Sequence, residues 1–421
     1  MVDLAERYGT PLYLLNEGVF RQNCSRYRSA FLQYPGEARV AYAGKALLTQ
    51  AVAAMVGQEG LYLDVVSAGE IFAAERVSFP SERLVFHGNN KSQEEIAYAL
   101  RVGVGCLVVD NFDEIALLTD TLRALGVRQR VLVRVAPGIE AHTHDYIQTG
   151  GLETKFGFDF DSGQAGEAVR QCVASGVLDV VGLHAHIGSQ LLETRALPPL
   201  VERMLDLVRD VWSGALPVPW ELNLGGGPGI RYRSEDPPPP EQFARTITAA
   251  VVEGCHRRGL PLPTIWVEPG RSIVGQAGVA VYRVGSQKRV PGLRPFVAVD
   301  GGMGDNIRPA LYGAEYRAVV ANRMYDEATE TVRVVGRYCE SGDFLVQDAE
   351  LPEVRAGDLL ALFSTGAYQY PMASNYNRVP RPCFLLLGEG RAHVMVERES
   401  LEDLCRLEHV PPHLRRLRVE A

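Results

Sequence analysis

The stretch VAYAGKALL places one lysine, Lys45, at the end of an apolar run. Lysine is rarely buried without a partner, and most lysines at strand ends reach solvent along a flexible stem. A chemical role for Lys45 needs a carbonyl or phosphate for the amine to meet, and other residues aimed at the same place. Three stretches offer such residues. LNLGGGPGI sets Gly225, Gly226 and Gly227 after an apolar run. Glycine there lets backbone N–H groups approach a phosphate, with Ser189 nearby as a hydroxyl donor. The same triplet reads equally as a tight turn, and without a following GK[ST] it is not a P-loop.

HAHIGS puts His184 and His186 on one face of a strand, because alternate residues point the same way. A third ligand at useful spacing is missing, so no metal site is expected. His184 reads as a hydrogen-bonded core histidine and His186 as a flat ring able to stack on an aromatic one. EPGR ends another apolar run with Glu268 and Arg271. A buried carboxylate needs a cationic partner, so the two either pair with each other or act separately, Glu268 on a protonated ring nitrogen and Arg271 on an anion. An aldehyde for Lys45, a phosphate for the glycines, a flat ring for His186 and a pyridinium nitrogen for Glu268 are the features of pyridoxal 5'-phosphate.

These residues need a scaffold that brings their strand ends together. RVAYAGK, GLYLDVVSAGE, RLVFHGN, GCLVVDN, RVLVRVAPG, VVGLHAHIGS, ELNLGGG and TIWVEPG each read as a short strand ending in turn residues. Stretches of helical spacing, such as NFDEIALLTDTLRALG, lie between them. Near-continuous apolar runs suit strands buried on both faces, and eight of them alternating with helices predict an α/β fold, a (β/α)8 TIM-like barrel. In such a barrel function gathers at the C-terminal strand ends. Lys45, Asp64, Arg134, His184, His186, Ser189, the three glycines, Glu268, Gly270 and Arg271 all fall at or near those ends, in the fifth, sixth, seventh and eighth strands as well as the first two.

After about Val279 the helices stop. AVYRVGSQKRV, PFVAVDGG, ETVRVVGRYCE, DLLALFSTGAY, PCFLLLGEG and RAHVMVER read as strands. They predict a C-terminal β-rich domain of barrel or sandwich type, which the N-terminal strand PLYLLN joins. The expected division is residues 22–279 for the barrel, and 1–21 with 280–421 for the β-domain. The tract RYRSEDPPPPEQF reads as an exposed loop within the barrel.

A net charge of -8 argues against nucleic acid, and no apolar run is long enough to span a bilayer. The N-terminal stretch has early acids and no basic leader before an apolar run, so no signal peptide is expected. Seven scattered cysteines without CxxC pairs suit a reducing cytoplasm.

The longer motifs carry a resemblance. YAGKA, DVVSAGE, RVAPGIEAHTHDYIQTG, KFGFD, GLHAHIGSQ, LNLGGGPGI, EPGRS, VDGGMGDNIRPALY, CESGD and TGAYQYPMASNYN, in this order, resemble the diaminopimelate decarboxylases, fold type III enzymes of the alanine-racemase-like group. The resemblance implies decarboxylation of meso-2,6-diaminopimelate at its D-centre, giving L-lysine. It also implies a homodimer with sites at the subunit interface. Lys45 resembles the lysine that carries the cofactor, and His186 the residue stacked on its ring. Ser189 and Gly225 to Gly227 resemble its phosphate cradle, and Glu268 the partner of its ring nitrogen. Asp64, Arg134 and Gly270 count as further cofactor contacts. Arg271, Arg308 and Tyr312 resemble the residues that grip the substrate's distal carboxylate, and Tyr368 one that contacts cofactor and substrate. Cys339 resembles the proton donor and Glu340 the reader of the distal ammonium, both reaching in from the partner subunit.

Three departures flank these matches: Arg337 and Tyr338 before CESGD, DGGMGDN where DAGMND is common, and Pro371 where a serine is usual. The rival expectations are a related decarboxylase acting on D-lysine, ornithine, arginine or carboxynorspermidine, and a non-catalytic homologue that only binds the cofactor. Arg308, Tyr312 and CESGD favour diaminopimelate.

Overall fold

The computed structural model describes residues 1–139, 154–211 and 219–414. The EAHTHDYIQTG part of one motif lies outside them. Strand β1 (Leu12–Asn16) comes first and belongs to a later sheet. The barrel strands are β2 (Ala38–Ala43), β3 (Tyr62–Val65), β4 (Leu84–Phe86), β5 (Cys106–Val109), β6 (Gln129–Ala136), β8 (Leu178–Ala185), β9 (Glu221–Asn223) and β10 (Thr264–Val267). A two-residue strand, β7 (Phe158–Asp159), is added beside β6. The order β5-β4-β3-β2-β10-β9-β8-β6 is parallel throughout, and β5 pairs with β6 to close the ring. Each expected strand run supplies one barrel strand.

The alternation of strand side chains builds the interior in layers. At the N-terminal end Glu221 takes Arg39 at 2.9 Å and Arg130 at 2.7 Å, and the Arg39 guanidinium lies 5.1 Å from the Trp266 ring centroid. Above this plug Trp266 clusters with Ala41, Val85, Cys106, Val108, Leu132 and Val181. Ile265 and Val267, its neighbours along β10, pack instead into the main core. The next inward layer toward the C-terminal ends is polar: Asp64, His87, His184, Asn223 and Glu268 are all buried. A buried polar layer on apolar ones is where a barrel departs from pure packing.

The second sheet holds β11 (Gly278–Lys288), β12 (Phe296–Val299), β13 (Ala318–Val320), β14 (Glu330–Val335), β15 (Phe344–Leu351), β16 (Leu359–Phe363), β17 (Cys383–Gly388) and β18 (Arg391–Val396). β1 lies between β11, antiparallel, and β17, parallel. Two of these strands, β13 and β15, were absent from the sequence expectation. β15 reads FLVQDAEL, whose mixed polar residues mask a half-buried strand. The proline tract runs up to helix Pro240–Arg258, with a proline in its first turn. Tyr232, five residues before the first proline, is buried rather than exposed, and it turns up in the site. Among the described residues no helix is long and apolar enough to cross a membrane.

Candidate active site

A cavity of about 370 Å³ opens at the C-terminal strand ends. Its lining includes Lys45, Asp64, His186, Ser189, Gly226, Gly227, Glu268, Gly270, Arg271, Arg308, Tyr312 and Tyr368. A deeper lobe of about 350 Å³ adds His87, Arg134 and His184 beside Lys45, Asp64, His186 and Glu268. Lys45 sits on a 3-10 turn, Gly44–Ala46, directly after β2, and its side chain opens into this space. Gly225 lies against Ala185 and His186: its φ is +69°, and a Cβ there would stand 2.9 Å from the His186 ring nitrogen Nδ1. Gly226 is pressed on the next strand, where a Cβ would meet the Glu268 carbonyl at 2.1 Å. The triplet is therefore a close approach as well as a turn. Among the described residues the amides of Gly226 and Gly227 donate to no protein group, leaving N–H donors beside Ser189. Burial, with Lys45 adding to it, pushes the His186 imidazole well below its usual value, so it presents a neutral flat ring.

Glu268 does not pair with Arg271. Its Oε1 accepts from the Asn223 side-chain amide at 2.7 Å and lies 3.0 Å from His87 Nε2, and its Oε2 meets His184 Nε2 at 3.2 Å. Burial pushes this carboxyl up, but His87 and His184 outweigh it and hold it well below the usual carboxylate range. Glu268 is an anion at the barrel's centre. Burial takes His184 down to about 4 despite Glu268, which makes it the neutral hydrogen-bonded histidine expected. Asp64 stands 3.7 Å from His87, and burial raises its carboxyl. Asn223 also accepts from the Gly225 amide at 2.9 Å, so one side chain ties the glycine loop to Glu268. His87 and Asn223 were not singled out in the sequence. The signal available was position: each is an inward residue at a strand end, next to a turn.

In the sequence no third ligand accompanies His184 and His186, whereas folding brings His87, His184 and Glu268 within 4.8 Å of one another. These atoms are engaged with each other and face the cavity's deep end. Arg134 is buried 3.6 Å from Asp110, its guanidinium 4.3 Å from the Phe156 ring centroid.

At the other end Arg271 donates to Ser189 through Nη2 at 3.0 Å and to Tyr232 through Nη1 at 2.6 Å. Arg308 donates through Nη1 to Tyr232 and Tyr316, both at 3.0 Å. The Tyr368 ring lies under both, 4.8 Å from Arg271 Cζ and 5.9 Å from Arg308 Cζ. Two guanidinium groups with a tyrosine at the cavity wall have the donors to hold a carboxylate.

Cys339 and Glu340 are exposed and do not line this cavity. The Cys339 amide donates to Asn377 at 3.0 Å, and Glu340 accepts from the Tyr376 hydroxyl. Two of the departures meet in space. Tyr338 is buried and lies so close to Gly304 that a Cβ on Gly304 would stand 2.2 Å from the phenol oxygen. The glycine in DGGMGDN makes room for the tyrosine before CESGD. Pro371 is the second residue of the 3-10 turn Tyr370–Met372, where its fixed φ fits.

The site residues fit pyridoxal 5'-phosphate on three independent observations. An amine faces the cavity, close-packed glycines leave donor amides in its wall, and a buried anion lines it too. Residues 18–275 match the family described as pyridoxal-dependent decarboxylase, pyridoxal binding domain. The chain is 50% identical over 409 residues to a diaminopimelate decarboxylase of Bacillus subtilis, covering 96% of this chain and 92% of that one. It is similar in structure to the M. jannaschii diaminopimelate decarboxylase in co-complex with L-lysine, at TM-score 0.92 and 35% identity, covering 98% and 95% of the two chains. The Helicobacter pylori diaminopimelate decarboxylase complexed with L-lysine matches at TM-score 0.88 and 33% identity, covering 97% and 98%.

Proposed function

The chain belongs to the diaminopimelate decarboxylase family of pyridoxal-dependent decarboxylases, and from that premise we propose how its cavity works on its substrate. The reaction is decarboxylation of meso-2,6-diaminopimelate to L-lysine and carbon dioxide, the last step of lysine biosynthesis, with pyridoxal 5'-phosphate as cofactor. When bound, the cofactor supplies an electron sink for the pair left behind by the departing carbon dioxide.

The chain's own residues prepare that chemistry. Lys45 would hold the cofactor's aldehyde, and Ser189 with the Gly226 and Gly227 amides its phosphate. His186, kept neutral, gives the ring an uncharged face to lie on. Glu268, ionised and fixed by Asn223, His87 and His184, keeps a proton on the ring nitrogen. Arg271, Arg308 and Tyr312 take the distal carboxylate, which leaves the D-centre carboxylate as the one released. Tyr368 closes the wall between the two ends.

Cys339 is the proton donor for the α-carbon and Glu340 the acceptor for the distal ammonium. Their exposure, outside the cavity of their own chain, supports a homodimer in which each subunit's CESGD loop completes the other's site. The exposed thiols of Cys339 and Cys405 support a reducing, cytoplasmic setting.

One observation carries this reading: a single cavity joins Lys45 and Glu268 at one end to Arg271 and Arg308 at the other. The test is the visible absorption of the purified protein with added cofactor, followed by lysine formation from meso-diaminopimelate. The band with lysine supports both cofactor and substrate. The band without lysine moves the substrate to another basic amino acid. Loss of the band in Lys45→Ala, with the fold kept, supports the assignment of Lys45, and a retained band overturns it.

A further inference from the structure

The loop after the three glycines carries Tyr232, which the mechanism above does not use. The residue is 9% exposed, and its hydroxyl oxygen lies between two cations. Arg271 Nη1 donates to it at 2.6 Å and Arg308 Nη1 at 3.0 Å. Its ring stands edge-on to Tyr316 at 5.5 Å, and Tyr316 takes Arg308 Nη1 from the other side at 3.0 Å. Tyr232 does not line the main cavity. It lines a smaller space of about 240 Å³ behind the arginines, together with Arg271, Arg308 and Tyr312.

Two guanidinium groups in one wall repel each other, and more so where water is excluded. Something must hold them at the spacing of one carboxylate. Arg271 is tied on its far side to Ser189 of the phosphate cradle. Arg308 comes from a separate short helix, Arg308–Tyr312, between β12 and β13 of the second sheet. Among the described residues Tyr232 is the group to which both arginines donate.

We propose that Tyr232 is a positioning residue that yokes Arg271 to Arg308 and thereby sets the selectivity of this site for ligands with a distal carboxylate. The proposal rests on the decarboxylase reading for the identity of the substrate. With its oxygen accepting from both arginines, Tyr232 offsets their repulsion and turns their remaining N–H groups toward the cavity. Arg308 spends only Nη1 on the protein among the described residues, so Nε and Nη2 stay for the ligand. Burial pushes the Tyr232 phenol up, but the two arginines outweigh it and bring it below its usual value, consistent with an oxygen that carries partial negative charge between them.

The test compares two ligands on the cofactor-loaded enzyme. L-Lysine keeps the distal carboxylate, and cadaverine lacks it. Tyr232→Phe retains the ring and its packing, and the cofactor's visible band reports that the site is intact. The expected result is an L-lysine dissociation constant raised at least ~10-fold, as for a lost charge-assisted hydrogen bond, with cadaverine binding unchanged. For meso-diaminopimelate KM rises and kcat changes less. Tyr316→Phe removes a hydroxyl from Arg308 alone and should raise the L-lysine constant less. Unchanged L-lysine affinity in Tyr232→Phe overturns the proposal, as do equal losses for L-lysine and cadaverine or equal effects of the two tyrosine variants. Should the wild type bind both ligands yet make no lysine, the substrate reading falls. The yoke then stands or falls on the binding contrast alone.

Discussion

The backbone N–H of Tyr368 donates to the carbonyl of Ala46 at 2.8 Å, one residue past Lys45. A loop between β16 and β17 of the second sheet is thus fastened to the turn that carries the barrel's amine. Tyr368 reaches this bond with φ at +66°, a conformation that a residue with a Cβ rarely adopts. The strain sits at a site where the ring also covers Arg271 and Arg308, a placement typical of functional positions.

That strain predicts a reversal of the usual order of small residues. Tyr368→Gly is expected to be more stable than Tyr368→Ala by about 1 kcal/mol, because glycine takes a positive φ without cost. Denaturant unfolding of the two variants measures it. An alanine variant at least as stable as the glycine one would show that the loop relaxes out of the strained conformation.

Arg308 and the cofactor end should separate in kinetics. Arg308→Ala removes one fork of the carboxylate site while leaving Lys45, Glu268 and the glycine cradle untouched. Its kcat/KM for meso-diaminopimelate is expected to fall ~100-fold, the equivalent of a few kcal/mol of lost charge-assisted contacts. Cofactor affinity, read from the visible band on titration, should stay close to wild type. Equal losses in both would remove Arg308 from the substrate's distal end.

The pairing of Gly304 with Tyr338 is a packing prediction. A methyl group at Gly304 would stand 2.2 Å from the Tyr338 oxygen, so Gly304→Ala alone should cost about 1–3 kcal/mol as overpacking does. Tyr338→Leu, which clears that space, should recover most of the loss. A double-mutant cycle by thermal melting gives the coupling, and additive effects would mean that the two departures from the family pattern arose independently.

Asp305 predicts a pH dependence of stability. Its Oδ2 accepts from Tyr282 at 2.5 Å and Tyr13 at 3.1 Å, tying the GMGDN loop to β1 and β11. Burial raises its carboxyl from 3.8 to about 6, against the hydrogen bonds that lower it. The folded state therefore binds the proton more tightly than the unfolded chain does. Its contribution is fully present below about pH 4 and is lost as pH rises through about 6, by at most ~3 kcal/mol. In Asp305→Asn that loss disappears, so the variant should gain on wild type between pH 4 and pH 7. Melting curves at the two pH values check this, and a constant difference would put the Asp305 proton elsewhere.

Much of the fold and of the site was legible before folding, for a stated reason. Strands buried on both faces leave long apolar runs, and barrel strands end in turn residues, so the eight runs and their polar ends could be read one by one. Local chemistry could be read too: Lys45 after its apolar run, the three glycines, His186 two residues past His184, and Arg271 after Glu268. The weakly patterned strand β15 could not, because its polar residues break the alternation.

What the linear chain left open was which group meets which. Glu268 and Arg271 are three residues apart and of opposite charge, so mutual pairing was a fair reading. The barrel instead turns Glu268 inward onto His87 and His184, from strands distant in sequence, and turns Arg271 along the wall to Ser189 and Tyr232. Tyr232 itself lies beside a proline-rich loop that composition marks as surface. The sequence by itself determined the residue types, their strand ends and the cofactor they suit. Tertiary structure alone decided the partners, because alternation says which side chains point inward, while only the closed ring fixes the distances between those of non-adjacent strands.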